Sequence, residues 1–113
     1  MHEISLCENV LLALEQQALA QQFSKVNRIC LEIGVLAAVD IEAFRFGFAA
    51  VMRGSLAEQA VLEISELPAR GRCLNCGVES VIQQRYDVCP QCGAAPLQIS
   101  SGEQMRIKEL EVE

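Results

Sequence analysis

The sequence has no tryptophan, one tyrosine, four phenylalanines and a single histidine in 113 residues. With aromatics this scarce, the core must be aliphatic. The lone histidine is His2, at the extreme N-terminus, so no Ser-His-Asp or Cys-His pairing of nucleophile and base is suggested. No G-x-x-x-x-G-K-[ST] loop occurs, and nucleotide hydrolysis is not expected. Positive charge is also short: nine Lys and Arg stand against fifteen Asp and Glu, a net charge of −6. Proteins that hold phosphate backbones usually carry a basic face, so general nucleic-acid binding is argued against, although a small local basic patch is compatible with the count. No run of eighteen apolar residues is present, and no membrane span is expected. The N-terminus lacks a basic segment, and Glu3, Glu8 and Asn9 interrupt its apolar residues, so a signal peptide is not expected either. The cytoplasm is the expected compartment.

Six cysteines are present, and four of them form the clearest signal. Cys73-Leu-Asn-Cys76-Gly77 and Cys89-Pro-Gln-Cys92-Gly93 are two C-x2-C turns, each followed by glycine, with twelve residues between Cys76 and Cys89. A tetrahedral Zn2+ takes four ligands at about 2.3 Å from sulfur, and two such pairs at this separation read as a zinc site. Glycine permits the tight backbone turn that points both sulfurs of a knuckle inward. Two disulfides would require an oxidising compartment, to which nothing in the chain points. Four thiolates leave no open position for water or substrate, which favours a structural zinc over a reactive one. Rubredoxin-type iron sites use similar knuckles, but the aromatic residues usual around such a centre are sparse here.

Along the chain, residues 4–22 have a helical pattern. Cys7, Val10, Leu11, Leu14 and Ala18 fall on one face, Ser5 or a neighbour is the candidate cap, and Glu3 and Glu8 suit the positive end of the helix dipole. Residues 26–35 read as a strand: Ile29, Leu31, Ile33 and Val35 alternate with Arg28, Cys30, Glu32 and Gly34. Asp40 is an N-cap candidate for a second helix to about residue 53, with Gly54 as its C-cap. Ile41, Phe44, Phe48 and Val51 line one face of it, and Phe44, Phe46 and Phe48 are expected to supply much of the core. Gly47 within it suggests a close helix–sheet contact. Residues 60–67 form a second strand ended by Pro68, and residues 79–88 between the knuckles are expected to make a small hairpin. Residues 105–112 form a third strand whose apolar parity shifts between Ile107 and Leu110, as a bulge near Lys108–Glu109 would produce.

The order α-β-α-β-[cysteines]-β predicts an α+β fold: two helices packed on a three-stranded sheet, with an inserted four-cysteine zinc-ribbon domain. Residues 1–68 plus 100–113 would form the main α/β domain and 69–99 the zinc-binding domain. The insertion is too small for a conventional core and would be held by its metal.

Three other features carry chemistry or packing. His2 is a solvated terminal residue by default. Its position nonetheless lets a terminal amine, the following amides and the imidazole close small chelate rings around one ion, and square-planar nitrogen coordination is diagnostic of Ni2+ or Cu2+. Glu3 reads either as a helix N-terminal acid or as a carboxylate that fixes the imidazole. Cys7 and Cys30 are read as small hydrophobes in the core. Glu42, Arg45 and Arg53 read as a solvated face of the second helix.

Several segments together resemble one family. They are the opening Met-His-Glu-Ile-Ser-Leu, Leu31-Glu-Ile-Gly-Val-Leu, Phe44-Arg-Phe-Gly-Phe, Arg53-Gly54-Ser-Leu-Ala-Glu, the paired knuckles, and the closing Ile107-Lys-Glu-Leu-Glu-Val-Glu. In this order they resemble the HypA/HybF family of hydrogenase nickel-incorporation metallochaperones. The resemblance spans the whole chain, with no departure at the motif positions. It implies a nickel-binding α/β domain and a zinc-binding domain, with Ni2+ as the transported ion and Zn2+ as the structural one. Nickel carries over to the Met1 amine, the His2 imidazole and amide and the Glu3 amide, with the Glu3 side chain supporting the site or a partner contact. Zinc carries over to Cys73, Cys76, Cys89 and Cys92. The resemblance also implies a non-enzymatic role in which nickel passes, with a GTPase partner, to the large subunit of [NiFe]-hydrogenase, some members serving urease as well. A zinc-ribbon interaction module with an incidental His2 and a C-x2-C thiol redox enzyme are the rival readings.

Overall fold

The computed structural model describes residues 2–113. Its elements in order are α1 (His2–Gln21), β1 (Val26–Gly34), α2 (Ile41–Val51), β2 (Val61–Leu67), β3 (Ala69–Cys73), β4 (Glu79–Ile82), β5 (Leu97–Ser101) and β6 (Met105–Val112). Two three-stranded sheets form, one ordered β2-β1-β6 and the other β4-β3-β5. The architecture is the expected α+β arrangement, with the cysteine segment inserted between β2 and β6. Packing divides the chain into two compact units. One comprises the chain up to Leu31, Val39–Glu63 and Ile107–Glu113; the other comprises Glu32–Ala38 and Ile64–Arg106. The boundaries fall inside β1, β2 and β6.

In the first unit, α1 buries Cys7, Val10 and Leu14. Leu11 and Ala18, on the flanks of that stripe, are half-buried. The helix already begins at His2, so Ser5 is its fourth residue and does not cap it. Asp40 caps α2 as expected: its Oδ1 accepts the Ala43 amide at 3.1 Å, satisfying one of the donors a helix start leaves open. Val51 is the last helical residue and Met52 the C-cap, while Gly54, with φ of +78°, lies in the turn beyond. Phe44 and Phe48 are buried with ring centroids 6.3 Å apart, but Phe46 is 79% exposed. Only two of the three phenylalanines therefore serve the core. Position 46 lies two residues from each of them, about 200° around a 3.6-residue helix.

Gly47 has a different role from the one expected. A Cβ there would meet Ile4 Cδ1 at 2.7 Å and Cys7 Sγ at 3.5 Å, so the glycine admits α1 and not a strand. On the polar face of β1, the Arg28 guanidinium donates to Glu63, Glu109 and Glu111. Donating to the Glu63 and Glu109 carboxylates pushes its pKa up despite partial desolvation.

In the second unit, β3 pairs antiparallel with β4, setting Arg72 opposite Glu79 and Ala69 opposite Ile82. It also pairs antiparallel with β5, with a register shift between Arg70 and Gly71. The hairpin expected within residues 79–88 does not form. Residues 79–82 pair back onto β3, and residues 83–88 turn instead, with the Asp87 carboxylate accepting the Gln83 and Gln84 amides at 2.8 and 3.3 Å. Ala69, Gly71 and Cys73 point inward and Arg70 and Arg72 outward. A Cβ on Gly71 would lie 3.1 Å from Leu97 Cβ and 3.2 Å from Ile82 Cδ1, so a larger residue would crowd the small core.

The alternation predicted for β1 fails at its end. Glu32 is only 8% exposed and Gly34 is buried, whereas Val35 is exposed. Glu32 is accommodated because Arg106 Nε donates to its carboxylate at 2.6 Å. A side chain at Gly34 would collide with the backbone of Gly102, whose carbonyl accepts the Leu36 amide at 2.8 Å. In β6 the half-buried residues are Met105, Ile107 and Leu110, so the inward parity changes where the bulge was expected.

Candidate metal centre

The two knuckles are built alike. In the first, the Cys73 amide donates to the Val78 carbonyl at 2.9 Å and the Gly77 amide to the Cys73 carbonyl at 2.9 Å. In the second, the Cys89 amide donates to the Ala94 carbonyl at 2.9 Å and the Gly93 amide to the Cys89 carbonyl at 2.8 Å. Each turn closes on a glycine of positive φ, +78° at Gly77 and +74° at Gly93, which a side chain rarely adopts. β3 delivers Cys73 from a strand end, and the remaining three ligands come from the turns.

The four sulfur atoms all lie within 4.8 Å of one another. Cys73 Sγ is 3.5 Å from Cys92 Sγ, and Cys76 Sγ is 3.7 Å from Cys89 Sγ. A tetrahedron with metal–sulfur bonds of about 2.3 Å has edges of about 3.8 Å, so the quartet has the dimensions of a four-thiolate site. The separations are far beyond a disulfide, and all six cysteines are free. The close sulfur pairs join one knuckle to the other. Cys73 and Cys89 are buried and Cys76 and Cys92 exposed, so the centre is open to solvent along one edge.

The polypeptide also prepares the thiolate charge. The Cys76 amide, donating to Cys73 Sγ at 3.4 Å, is the main reason the Cys73 pKa falls to about 6. The Cys92 amide, 3.5 Å from Cys89 Sγ, lowers Cys89 in the same way. At Cys76 the Val78 amide also pulls downward, but desolvation and the three neighbouring sulfurs outweigh it and raise the value to about 11. Crowded thiolates repel one another, and a divalent cation removes that repulsion. Asn75, inside the first knuckle, was not singled out in the sequence; its Nδ2 reaches Cys92 Sγ at 3.6 Å across the site. A polar side chain within a C-x2-C turn was the available signal. Among the described residues this quartet is the one set of three or more His, Cys, Asp or Glu side chains close enough to share an ion. Its all-sulfur chemistry and size fit Zn2+, which would be held by Cys73, Cys76, Cys89 and Cys92 and would close the ribbon.

Of the N-terminal triplet, Met1 lies outside the described residues. His2 is exposed at the first described position of α1. Glu3 Oε2 accepts the Asp40 amide at 3.1 Å, tying the first turn of α1 to the start of α2. That hydrogen bond is the largest of the effects that lower the Glu3 pKa, to which the nearby His2 adds. Cys7 is core, as expected: its Sγ lies 3.4 Å from the Phe44 carbonyl, and burial with the charges of Glu3 and Glu8 raises its pKa to about 11. Cys30 departs from the core reading. It is half-buried on the charged face of β1, 3.9 Å from Glu63 Oε2. Arg45 is exposed but donates to the Leu62 carbonyl at 3.1 Å, so it is not simply solvated.

Comparison with known proteins covers the whole chain. A family model described as HypA, hydrogenase/urease nickel incorporation metallochaperone, matches residues 1–112. The hydrogenase maturation factor HypA of Azotobacter chroococcum mcd 1 is 57% identical over 113 residues, and that of Azotobacter vinelandii 55%, with 100% of both chains covered in each case. The solution structure of the Ni metallochaperone HypA from Helicobacter pylori has a TM-score of 0.74 at 27% identity, covering 97% of this chain and 96% of that one. No helix among the described residues is long and apolar enough to cross a membrane.

Proposed function

Because this chain belongs to the HypA family of hydrogenase/urease nickel-incorporation metallochaperones, we propose that it binds Ni(II) at Met1, His2 and Glu3 and delivers it, with a nickel-handling GTPase of the hydrogenase maturation system, to the large subunit of [NiFe]-hydrogenase. Urease is a second client on the same reading. The whole-chain match to the family carries this conclusion. In it, residues 1–68 and 100–113 handle nickel, and residues 69–99 hold a structural Zn2+ on the four cysteines. The protein works in the cytoplasm by receiving, holding and releasing metal, without catalysis of its own.

Two features of α1 support the N-terminal assignment. The His2 imidazole is exposed, where an ion can reach it. Residues 2 and 3 also precede the first position whose amide can enter the i→i−4 ladder of a helix beginning at His2. Ligation through those amides leaves the ladder intact, although the flat geometry of four nitrogens around Ni2+ requires the first residues to depart from helical angles. A terminal site that opens by local fraying is suited to release. The Glu3 carboxylate, held by the Asp40 amide, anchors the turn from which the chelate extends.

The test is nickel titration of the untagged protein, of His2→Ala, and of a form extended by residues ahead of Met1, which converts the terminal amine into an amide. Both changes are expected to abolish stoichiometric Ni2+ binding while the zinc content stays unchanged. Nickel binding that survives both overturns the assigned site.

A further inference from the structure

The outward face of α1 has no role in the metal chemistry and is not built like an ordinary solvated helix surface. Leu12 is 56% exposed and Leu19 83% exposed. Glu8, Leu12, Glu15 and Leu19 follow at i, i+4, i+7 and i+11, one stripe of the helix, so leucine alternates with carboxylate along it and Leu12 stands between Glu8 and Glu15. Beside this stripe, Leu11 and Val51 of α2 floor an open groove of about 390 Å3, whose rim is formed by Glu8, Leu12 and Glu15. All of these residues belong to the first compact unit. Single exposed leucines are common, but two in register along a helix, beside an apolar groove, make a contiguous surface of the kind that partners bury.

The charge indicates what kind of partner. α1 contains no Lys or Arg from end to end, and Glu8 and Glu15 are the charged groups at the groove. Phosphates of a nucleic acid or an anionic bilayer would be repelled by that rim, whereas Lys or Arg flanking an aliphatic side chain would be attracted to it. We infer that the α1 face centred on Leu12, with its groove against Val51, is the docking surface for a basic amphipathic helix of a protein partner. Leu or Ile of that helix enters the groove, and Lys or Arg pairs with Glu8 and Glu15. Taken with the proposed function, on which this assignment rests, the partner is the nickel-handling GTPase. The chelate at residues 1–3 then lies at the start of the same helix that the partner grips.

The experiment measures affinity of the full-length, zinc-loaded protein for that GTPase by calorimetry, at low and moderate salt. The unaltered chain is compared with Leu12→Gln and with the double variant Glu8→Lys/Glu15→Lys. Circular dichroism and nickel stoichiometry serve as controls, which substitutions at these exposed positions should leave unchanged. Each variant is expected to weaken binding about tenfold or more, and the charge reversal to remove most of the salt dependence of the unaltered pair. If the unaltered chain binds and both variants bind equally well, the docking assignment is overturned and the proposed function stands. Failure of the unaltered chain to bind overturns the GTPase reading and this assignment together. Loss of a homodimer on Leu12→Gln, or Leu12-dependent binding to vesicles containing phosphatidylserine, would give the face a different occupant and also overturn the proposal.

Discussion

Stripping the metal from the cysteine centre should unfold the second sheet while leaving the helices in place. Apart from its ligands, the buried cluster around that sheet is Leu36, Ala69, Ile82 and Leu97, with Val78, Ala94 and Ile99 half-buried against it. Three of the buried residues are large side chains, and full burial of each contributes about 1.5–3 kcal/mol, hence roughly 5–9 kcal/mol in all. A structural Zn2+ on thiolates contributes about 10–16 kcal/mol at neutral pH, more than those three side chains together. The metal is therefore the larger support of β3, β4 and β5. Cysteine ligands must be deprotonated, so removal should be effective with a strong chelator under reducing conditions and should also follow acidification. Hydrogen exchange read by mass spectrometry checks this. After metal content falls below about a tenth of stoichiometric, peptides spanning residues 69–101 should exchange at nearly unprotected rates, while those of α1 and α2 keep their protection. The Cys73→Ala variant should behave like the stripped protein. Residual protection of β3 amides above about a hundredfold, equivalent to roughly 2.7 kcal/mol, would refute the reasoning, because the apolar core would then suffice.

Gly34→Ala should lower stability by about 2–4 kcal/mol, seen as a lower urea midpoint, because its Cβ must displace the Gly102 backbone and the Leu36 hydrogen bond held there; an unchanged midpoint contradicts the close approach. Gly47→Val should cost about 1–3 kcal/mol by pressing on Ile4 and Cys7, and the loss should be partly recovered by adding Ile4→Ala, read in a double-mutant cycle. Glu3 has a lowered pKa in the folded protein, so its contribution to stability is present above the ordinary value of 4.5 and disappears as pH falls through the lower folded value. Melting temperatures of the native protein and Glu3→Gln should accordingly converge toward the acid end of that window, and parallel curves would count against it. Cys7, with its pKa raised to about 11, should resist alkylation at pH 8 in the folded protein and react only on unfolding, as peptide mapping can show.

The elements most readable from the chain were those whose residues report a single environment. Cys7, Val10 and Leu14 recur at helical spacing and are all buried, and Asp40 is followed three residues later by the amide it caps. Positions where two environments meet were not readable. Glu32 breaks the inward–outward alternation of β1 because Arg106, seventy-four residues away, supplies its ion pair. Phe46 has the composition of a core residue but the wrong angle on its helix, and Gly47 next to it marks a contact with α1 that local pattern could not distinguish from one with a strand. The segment after the first knuckle was misread as a local hairpin for a related reason. Glu79 gains its strand partner in Arg72, which precedes the knuckle, and the pairing is defined only once the turn brings the two together.

The two candidate metal sites differ in legibility because they store their information differently. In the cysteine centre, ligand identity, spacing and the following glycine are all local, and a tetrahedral sulfur site has little other use for them. The fold then adds what spacing could not: amides aimed at Cys73 and Cys89, and Asn75 reaching across to Cys92. The nickel site proposed at Met1, His2 and Glu3 would use backbone nitrogen and one imidazole, groups that every chain start or surface offers, so its meaning depends on where it is placed. Of that triplet, His2 and Glu3 lie in the first turn of α1, where the Glu3 carboxylate is already occupied by the start of α2. An ion taken up there must reshape a turn that contributes to the α1–α2 junction. A partner docked along α1 would then sense loading through the helix it holds. A four-thiolate centre with every ligand position filled would have no such freedom, which is the physical reason for proposing it as the structural site and the terminus as the site of the metal that is passed on.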